Sequence, residues 1–162
     1  MPLLTRNVPI DVFLDELNMA HLALTLREEL NLEVSSFQLF QGVDQTLPHL
    51  KELGLRVGLC SNLAYEYGST VRKLLPGLDS YVFSYEVGVT KPNPLIYEKV
   101  CETLGVSPED VLFVGDSKRC DFDGPKAFGM QALLLDKTSG QTLTEIFGND
   151  ELLLNRATKA RG

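Results

Sequence analysis

No run of apolar residues in this chain is long enough to cross a bilayer. Its first stretch, Met1–Asp15, is broken by Arg6, Asp11 and Asp15, so the uninterrupted apolar segment of a signal peptide is missing. Cysteine is scarce. Cys60, Cys101 and Cys120 make an odd count with no Cys-x-x-Cys spacing, which argues against a zinc site or a disulfide framework and for a reducing, cytoplasmic setting. Cys60 lies in an apolar run and reads as a small buried hydrophobe. Histidine occurs twice, as His21 and His49 on expected helices with no shared motif, and both read as surface or packing residues. Positive charge is also short. Fifteen Lys and Arg face 22 Asp and Glu, a net charge of −7 that speaks against non-specific nucleic-acid binding and against docking on an anionic membrane. A phosphorylated small molecule stays compatible, because a local site on an acidic protein can be positive. Internal repeats and low-complexity segments are absent.

What is present is an ordinary globular balance. Hydrophobic residues make up 44% and charged residues 23% of 162, enough for one domain with a real core. Residues 1–42 read as a helical N-terminal segment. Apolar positions Ile10, Phe13, Leu14, Leu17, Ala20 and Leu24 predict one long amphipathic helix over Pro9–Leu30, with Asn7 as its cap, and Asn31–Gln41 as a connector. Residues 43–140 read as an α/β core. Helices are expected at Val43–Leu53, Ala64–Leu75, Leu95–Leu104 and Phe122–Phe128. Strands are expected at Leu55–Cys60, Ser80–Ser84, Val111–Val114 and Gln131–Leu135, with a loop over Glu86–Pro94 and a capping box at Ser107–Asp110. Residues 141–162 read as a helical tail, with turns of helix at Thr142–Phe147 and Glu151–Arg156 and a frayed end at Lys159–Gly162. Strands alternating with helices predict a Rossmann-like parallel sheet with helices on both faces.

The chemistry gathers around Val111–Asp121. An apolar run, Val111–Val114, reads as a strand buried on both faces, followed at once by Gly115, Asp116 and Ser117, with Asp121 five residues after Asp116. Open α/β sheets bind ligands at the carboxyl ends of their strands, so Asp116 and Asp121 are candidates to converge on Mg²⁺. Two further positions stand at strand ends or loops. A Ser61 hydroxyl with neighbouring backbone N–H groups suits phosphate oxygens, and Lys91 adds a positive point charge against a phosphoryl group. Taken singly, Ser61-Asn62 is an ordinary turn or helix cap and Lys91 a solvated loop lysine. Asp121 and Asp123 also suit the first turn of a helix.

Three stretches in order resemble the second, third and fourth motifs of the haloacid dehalogenase superfamily. They are Val57-Gly58-Leu59-Cys60-Ser61-Asn62, then Gly88-Val89-Thr90-Lys91-Pro92-Asn93-Pro94-Leu95-Ile96-Tyr97, then Val111–Gly129. The resemblance covers about Val43 to Lys137. It implies a Rossmann-like core in which Ser61 and Asn62 contact phosphate, Lys91 pairs with phosphate and the nucleophile, and Asp116 and Asp121 serve Mg²⁺. The implied activity is Mg²⁺-dependent hydrolysis of a phosphate monoester, with a small phosphorylated substrate or inorganic phosphate as ligand.

One departure from that pattern matters as much. Members of the superfamily open with a strand ending in Asp-x-Asp-x-Thr, whose first aspartate attacks phosphorus, and no such stretch lies upstream of Ser61. Pro9–Leu30 instead resembles helix from the small cap insert that follows the first motif, so the chain looks as though it begins inside that insert. The missing strand is central in the fold. Either neighbouring strands close the gap or another segment fills it, with Leu3–Ile10 and a partner chain as candidate fillers, and an edge left open favours a homodimer. The alternative to an active hydrolase is therefore a truncated or pseudoenzyme relative that binds phosphate and Mg²⁺ or acts through protein contacts. A phospho-acceptor receiver domain fits less well: such domains place their acids first and lysine last, whereas Ser61 and Lys91 precede Asp116 here.

Overall fold

The computed structural model describes residues 3–147. A 3₁₀ turn at Leu3–Thr5 leads into α1 (Ile10–Glu16), a second 3₁₀ turn at Ala20–Leu22 and α2 (Ala23–Ser35). The core follows in the order α3 (Val43–Glu52), β1 (Gly58–Ser61), α4 (Tyr65–Leu74), β2 (Ser80–Phe83), α5 (Ser84–Val87) and α6 (Pro94–Leu104). It continues with β3 (Leu112–Gly115), α7 (Gly124–Phe128), β4 (Gln131–Leu134) and α8 (Leu143–Phe147). The expected helix at Glu151–Arg156 and the frayed end lie outside the described residues. Among the described residues no helix is long and apolar enough to cross a membrane.

The alternation of strand and helix holds, and both strand pairings are parallel. β1 pairs with β2 in the register Gly58 to Ser80 through Ser61 to Phe83, and β3 pairs with β4 from Leu112 to Gln131 through Gly115 to Leu134. The chain nevertheless forms two separate pairs among the described residues rather than one sheet. Between them lies a cleft of about 1150 Å³, bordered by Leu59 and Cys60 of β1, Phe113 and Val114 of β3, Leu50 of α3 and Leu104 of α6. Successive residues of each strand border it, whatever face they point to, as happens when a strand presents its edge. Val111–Val114 is thus not buried on both faces, because Leu112 and Val114 are half-exposed. Leu3–Ile10 does not fill the gap: its first turn packs against α5, and Ile10 already opens α1.

What unites the two pairs is α6. Ile96, Tyr97, Val100, Cys101 and Leu104 line one helical stripe and pack on Val82 of β2 and on Phe113 of β3, with Val111 and Met130 closing the cluster. Ile96 and Tyr97 are fully enclosed, and each such side chain contributes roughly 1.5–3 kcal/mol by leaving water. The helix begins cleanly because Asn93 accepts a hydrogen bond from Leu95 N and Pro94 stands at its first position. It stops at Gly105, whose φ of 64° belongs to the left-handed region.

Local chemistry redirects the N-terminal segment. The expected helix over Pro9–Leu30 breaks at Asn18, which takes φ 58°. Met19 N then bonds Leu14 O at 2.8 Å and Asn18 N bonds Asp15 O at 3.0 Å, a Schellman ending that asparagine tolerates better than most residues. Helix resumes at Ala23 and runs to Ser35, through half of the expected connector. Asn7 is not the cap of α1. Pro9 holds that position, and the Glu66 carboxylate accepts the hydrogen bond from Ile10 N. In the single 3₁₀ turn at Pro108–Asp110, Ser107 flanks the turn without a side-chain capping bond, so the capping-box spacing is present but unused.

Candidate active site

The carboxyl ends of β1 and β3 bring the singled-out residues to one edge of the molecule. Ser61 is the last residue of β1 and Asn62 follows it. Lys91 lies in the segment between α5 and α6, before a cis peptide bond to Pro92. Asp116 follows β3 directly, and Asp121 sits in the π-helical turn Lys118–Asp123.

The Lys91 ammonium is fixed from two sides. It donates to the Cys60 carbonyl at 3.0 Å and to Asp121 Oδ1 at 2.6 Å, and it lies 5.3 Å from the centre of the Phe113 ring. Both partners of this ion pair are nearly enclosed, with 10% and 7% of their side chains exposed. Asn62 holds the same loop by its backbone. Lys91 N donates to Asn62 Oδ1 at 2.8 Å, and Asn62 Nδ2 donates to Lys91 O at 3.2 Å. Both ends of the Asn62 amide side chain are thereby engaged.

Asp121 is positioned just as tightly. Its Oδ2 accepts from Ser117 N at 3.0 Å, while Asp121 N donates to Ser117 O at 2.7 Å. The close approach needs glycine at 115, since a Cβ there would stand 2.5 Å from the Asp121 carboxyl. Tyr97 steadies the turn from beneath by donating its hydroxyl to Cys120 O at 2.7 Å. Burial raises the Tyr97 phenol well above its ordinary range, so it stays a neutral donor. Burial also pushes the Cys60 thiol up to about 12 against the opposing pull of Lys91, which leaves it protonated and a poor nucleophile.

Asp116 has a different neighbour. Its Oδ2 meets Lys137 Nζ at 2.7 Å, and both side chains are half-exposed. The hydrogen bond from Lys137 holds the Asp116 carboxyl below its ordinary value. Lys137 is a part of this edge that the sequence patterns did not mark, while Ser117 and Tyr97 fall inside the quoted motif stretches without a role assigned to them. Lys137 follows the last strand with no motif around it, and Ser117 acts chiefly through its backbone.

Asp116 and Asp121 offer hard oxygen donors at one strand end, the donor type that Mg²⁺ takes. Among the described residues no group of three or more His, Cys, Asp or Glu side chains is placed to hold a metal. In donor type two carboxylates suit an ion that keeps most of its water or takes oxygens from phosphate, with Asp116 the more open of the two, since both Asp121 oxygens already accept bonds from Lys91 Nζ and Ser117 N.

Residues 8–129 match the family model described as haloacid dehalogenase-like hydrolase. The chain belongs to that family. A curated relative, the glyceraldehyde 3-phosphate phosphatase of Methanopyrus kandleri, is 35% identical over 96 residues, covering 56% of this chain and 40% of the relative. Among solved structures, a haloacid dehalogenase-family phosphatase from Thermococcus onnurineus superposes with a TM-score of 0.63 at 26% identity, over 72% of this chain and 55% of its own. A family enzyme from Bacteroides thetaiotaomicron, solved with magnesium and inorganic phosphate, shares the fold with a TM-score of 0.53 at 23% identity, over 61% of this chain and 52% of its own. The chain thus spans about half the length of the proteins it matches.

The two ion pairs differ in burial, so their disruption should differ in cost. Asp121→Asn leaves the enclosed Lys91 ammonium without a counter-charge and should lower stability by about 3 kcal/mol or more. Asp116→Asn opens a half-exposed pair and should change stability by less than about 1 kcal/mol. Urea denaturation of the two variants measures both. The Asp116 carboxyl should also titrate below the ordinary value of 3.8 in carbon-13 spectra. Because the folded value is depressed, its contribution to stability is complete above the unfolded value and disappears as pH falls through the folded one. Lys137→Met should bring the titration back towards 3.8.

Proposed function

We propose that this chain handles phosphate monoesters in the manner of a Mg²⁺-dependent hydrolase. The observation that carries the reading is the Lys91 ammonium, held at the carboxyl edge between the Cys60 carbonyl and Asp121. In this reading the Ser61 hydroxyl and the backbone N–H groups after β1 receive phosphate oxygens, and Lys91 supplies positive charge against the transferring group. Asn62 serves by holding the Lys91 backbone in place. Asp116 and Asp121 would hold Mg²⁺, which when bound offsets negative charge on the phosphoryl oxygens. The phosphatase relative and the phosphate-bound neighbour support this ligand class.

A second reading is favoured by the open cleft between the strand pairs. The family resemblance assigns the first chemical step to an aspartate at the end of a central strand, and no Asp-x-Asp-x-Thr stretch occurs in the 162 residues. In that reading the chain binds phosphate and Mg²⁺ without turnover. The edges of β1 and β3, unpaired among the described residues, also make a homodimer part of the proposal.

Turnover of generic phosphomonoesters separates the readings. An active hydrolase should need Mg²⁺ and should lose about a hundredfold or more in rate with Lys91→Ala. Binding of inorganic phosphate and Mg²⁺ with no turnover selects the second reading, and absence of both refutes the phosphate site altogether. Sedimentation should give twice the chain mass of 18.0 kDa, and a monomer would remove the dimer from the proposal.

A further inference from the structure

Lys137 is set beside Asp116 by more than chance contact of two surface side chains. β3 and β4 run in parallel register to Gly115 and Leu134, and Leu135 N extends the ladder by donating to Gly115 O at 2.7 Å. The next residues of each strand therefore emerge side by side. Asp136 then shapes the turn: its Oδ1 accepts from Thr138 N at 2.9 Å, Thr138 Oγ1 at 2.6 Å and Ser139 N at 3.3 Å. Its own N–H donates to Gln141 Oε1 at 3.0 Å. This turn delivers the Lys137 ammonium to Asp116 Oδ2 at 2.7 Å. The same ammonium lies 5.5 Å from the centre of the Phe40 ring, which comes from the segment before α3. Strand end, turn and N-terminal connector thus converge on one cation.

An ammonium at that distance stands where an ion bound to the same carboxylate would sit. Mg²⁺ bonds carboxylate oxygen at about 2.0–2.1 Å, and a second cation on the same oxygen meets strong repulsion. Resting on the metal reading of Asp116 above, we propose that Lys137 is a tethered counter-cation which Mg²⁺ must displace, so that this lysine sets the metal affinity of the site. Metal-free, it holds the Asp116 carboxylate in place. On metal entry it swings towards solvent, with the Phe40 ring already at hand as a face that accepts a cation. Asp121 has its own lysine, but that pair is enclosed and anchored to the Cys60 carbonyl, so the exposed partner is the one that yields.

The experiment is a Mg²⁺ titration of the full chain by calorimetry, followed in parallel by the Asp116 carboxyl carbon-13 signal. Lys137→Met should bind Mg²⁺ roughly three- to tenfold more tightly than the wild type, as expected for removing one unit charge a few ångströms from a divalent ion near the surface. Lys137→Arg keeps the charge and should not show that gain. Lys118→Met removes an exposed lysine paired with Asp123 at 2.7 Å, and it should change affinity less than twofold. Equal or weaker binding by Lys137→Met overturns the proposal while leaving the metal site intact. A Lys118→Met gain equal to that of Lys137→Met also overturns it, by showing a general effect of net charge. No binding to any form, with a stationary Asp116 signal, refutes the metal reading itself and the proposal with it.

Discussion

A lysine ammonium taken almost entirely out of water must find partners, and that requirement organises this protein's functional edge. Lys91 meets it with a backbone carbonyl at the end of one strand and a carboxylate in the turn after another. Much of the local architecture serves the pair. Asn62 grips the lysine's own backbone, Ser117 holds the second carboxylate oxygen, and Gly115 vacates the space that oxygen needs. Beneath them Tyr97 joins the edge to the core by its hydroxyl and its ring. The site is thus an extension of the packing around α6 rather than a set of loops laid over it.

The two lysine–aspartate pairs show how burial changes the meaning of the same chemistry. Both have N···O distances of 2.6–2.7 Å. The enclosed one is a fixture, because neither charge has water to fall back on. The half-exposed one is exchangeable, because solvent or another cation can replace either partner at small cost. Having both kinds at one strand end provides a rigid positive charge beside an adjustable carboxylate.

The parts of this arrangement legible in the sequence were those with local signatures. An apolar run ending in Gly115-Asp116 marks a strand end, and the spacing of Ile96, Val100 and Leu104 marks a buried stripe. Other features depend on contacts between distant residues. Asn7 has the right residue type for a cap, yet Glu66, far along the chain, takes that bond. Asn18 breaks a helix that apolar spacing alone carries through. The Asn62 side chain is engaged by a loop 29 residues away, a contact that no local pattern announces. Lys137 owes its place to strand register, which no single segment encodes. The split of the sheet is not written in any one strand, since each has an ordinary composition; it was foreshadowed only by the Asp-x-Asp-x-Thr strand that the family pattern has and this sequence lacks.

That split gives α6 the role of a spine with two leaves. One leaf is β1 with β2, the other β3 with β4, and both meet the helix through one shared apolar cluster. At the far rim Lys91 belongs to the first leaf and Asp121 to the second, so their bond is a latch across the opening. An anion bound at Lys91 would therefore sit on the seam between the two leaves, within reach of groups from both.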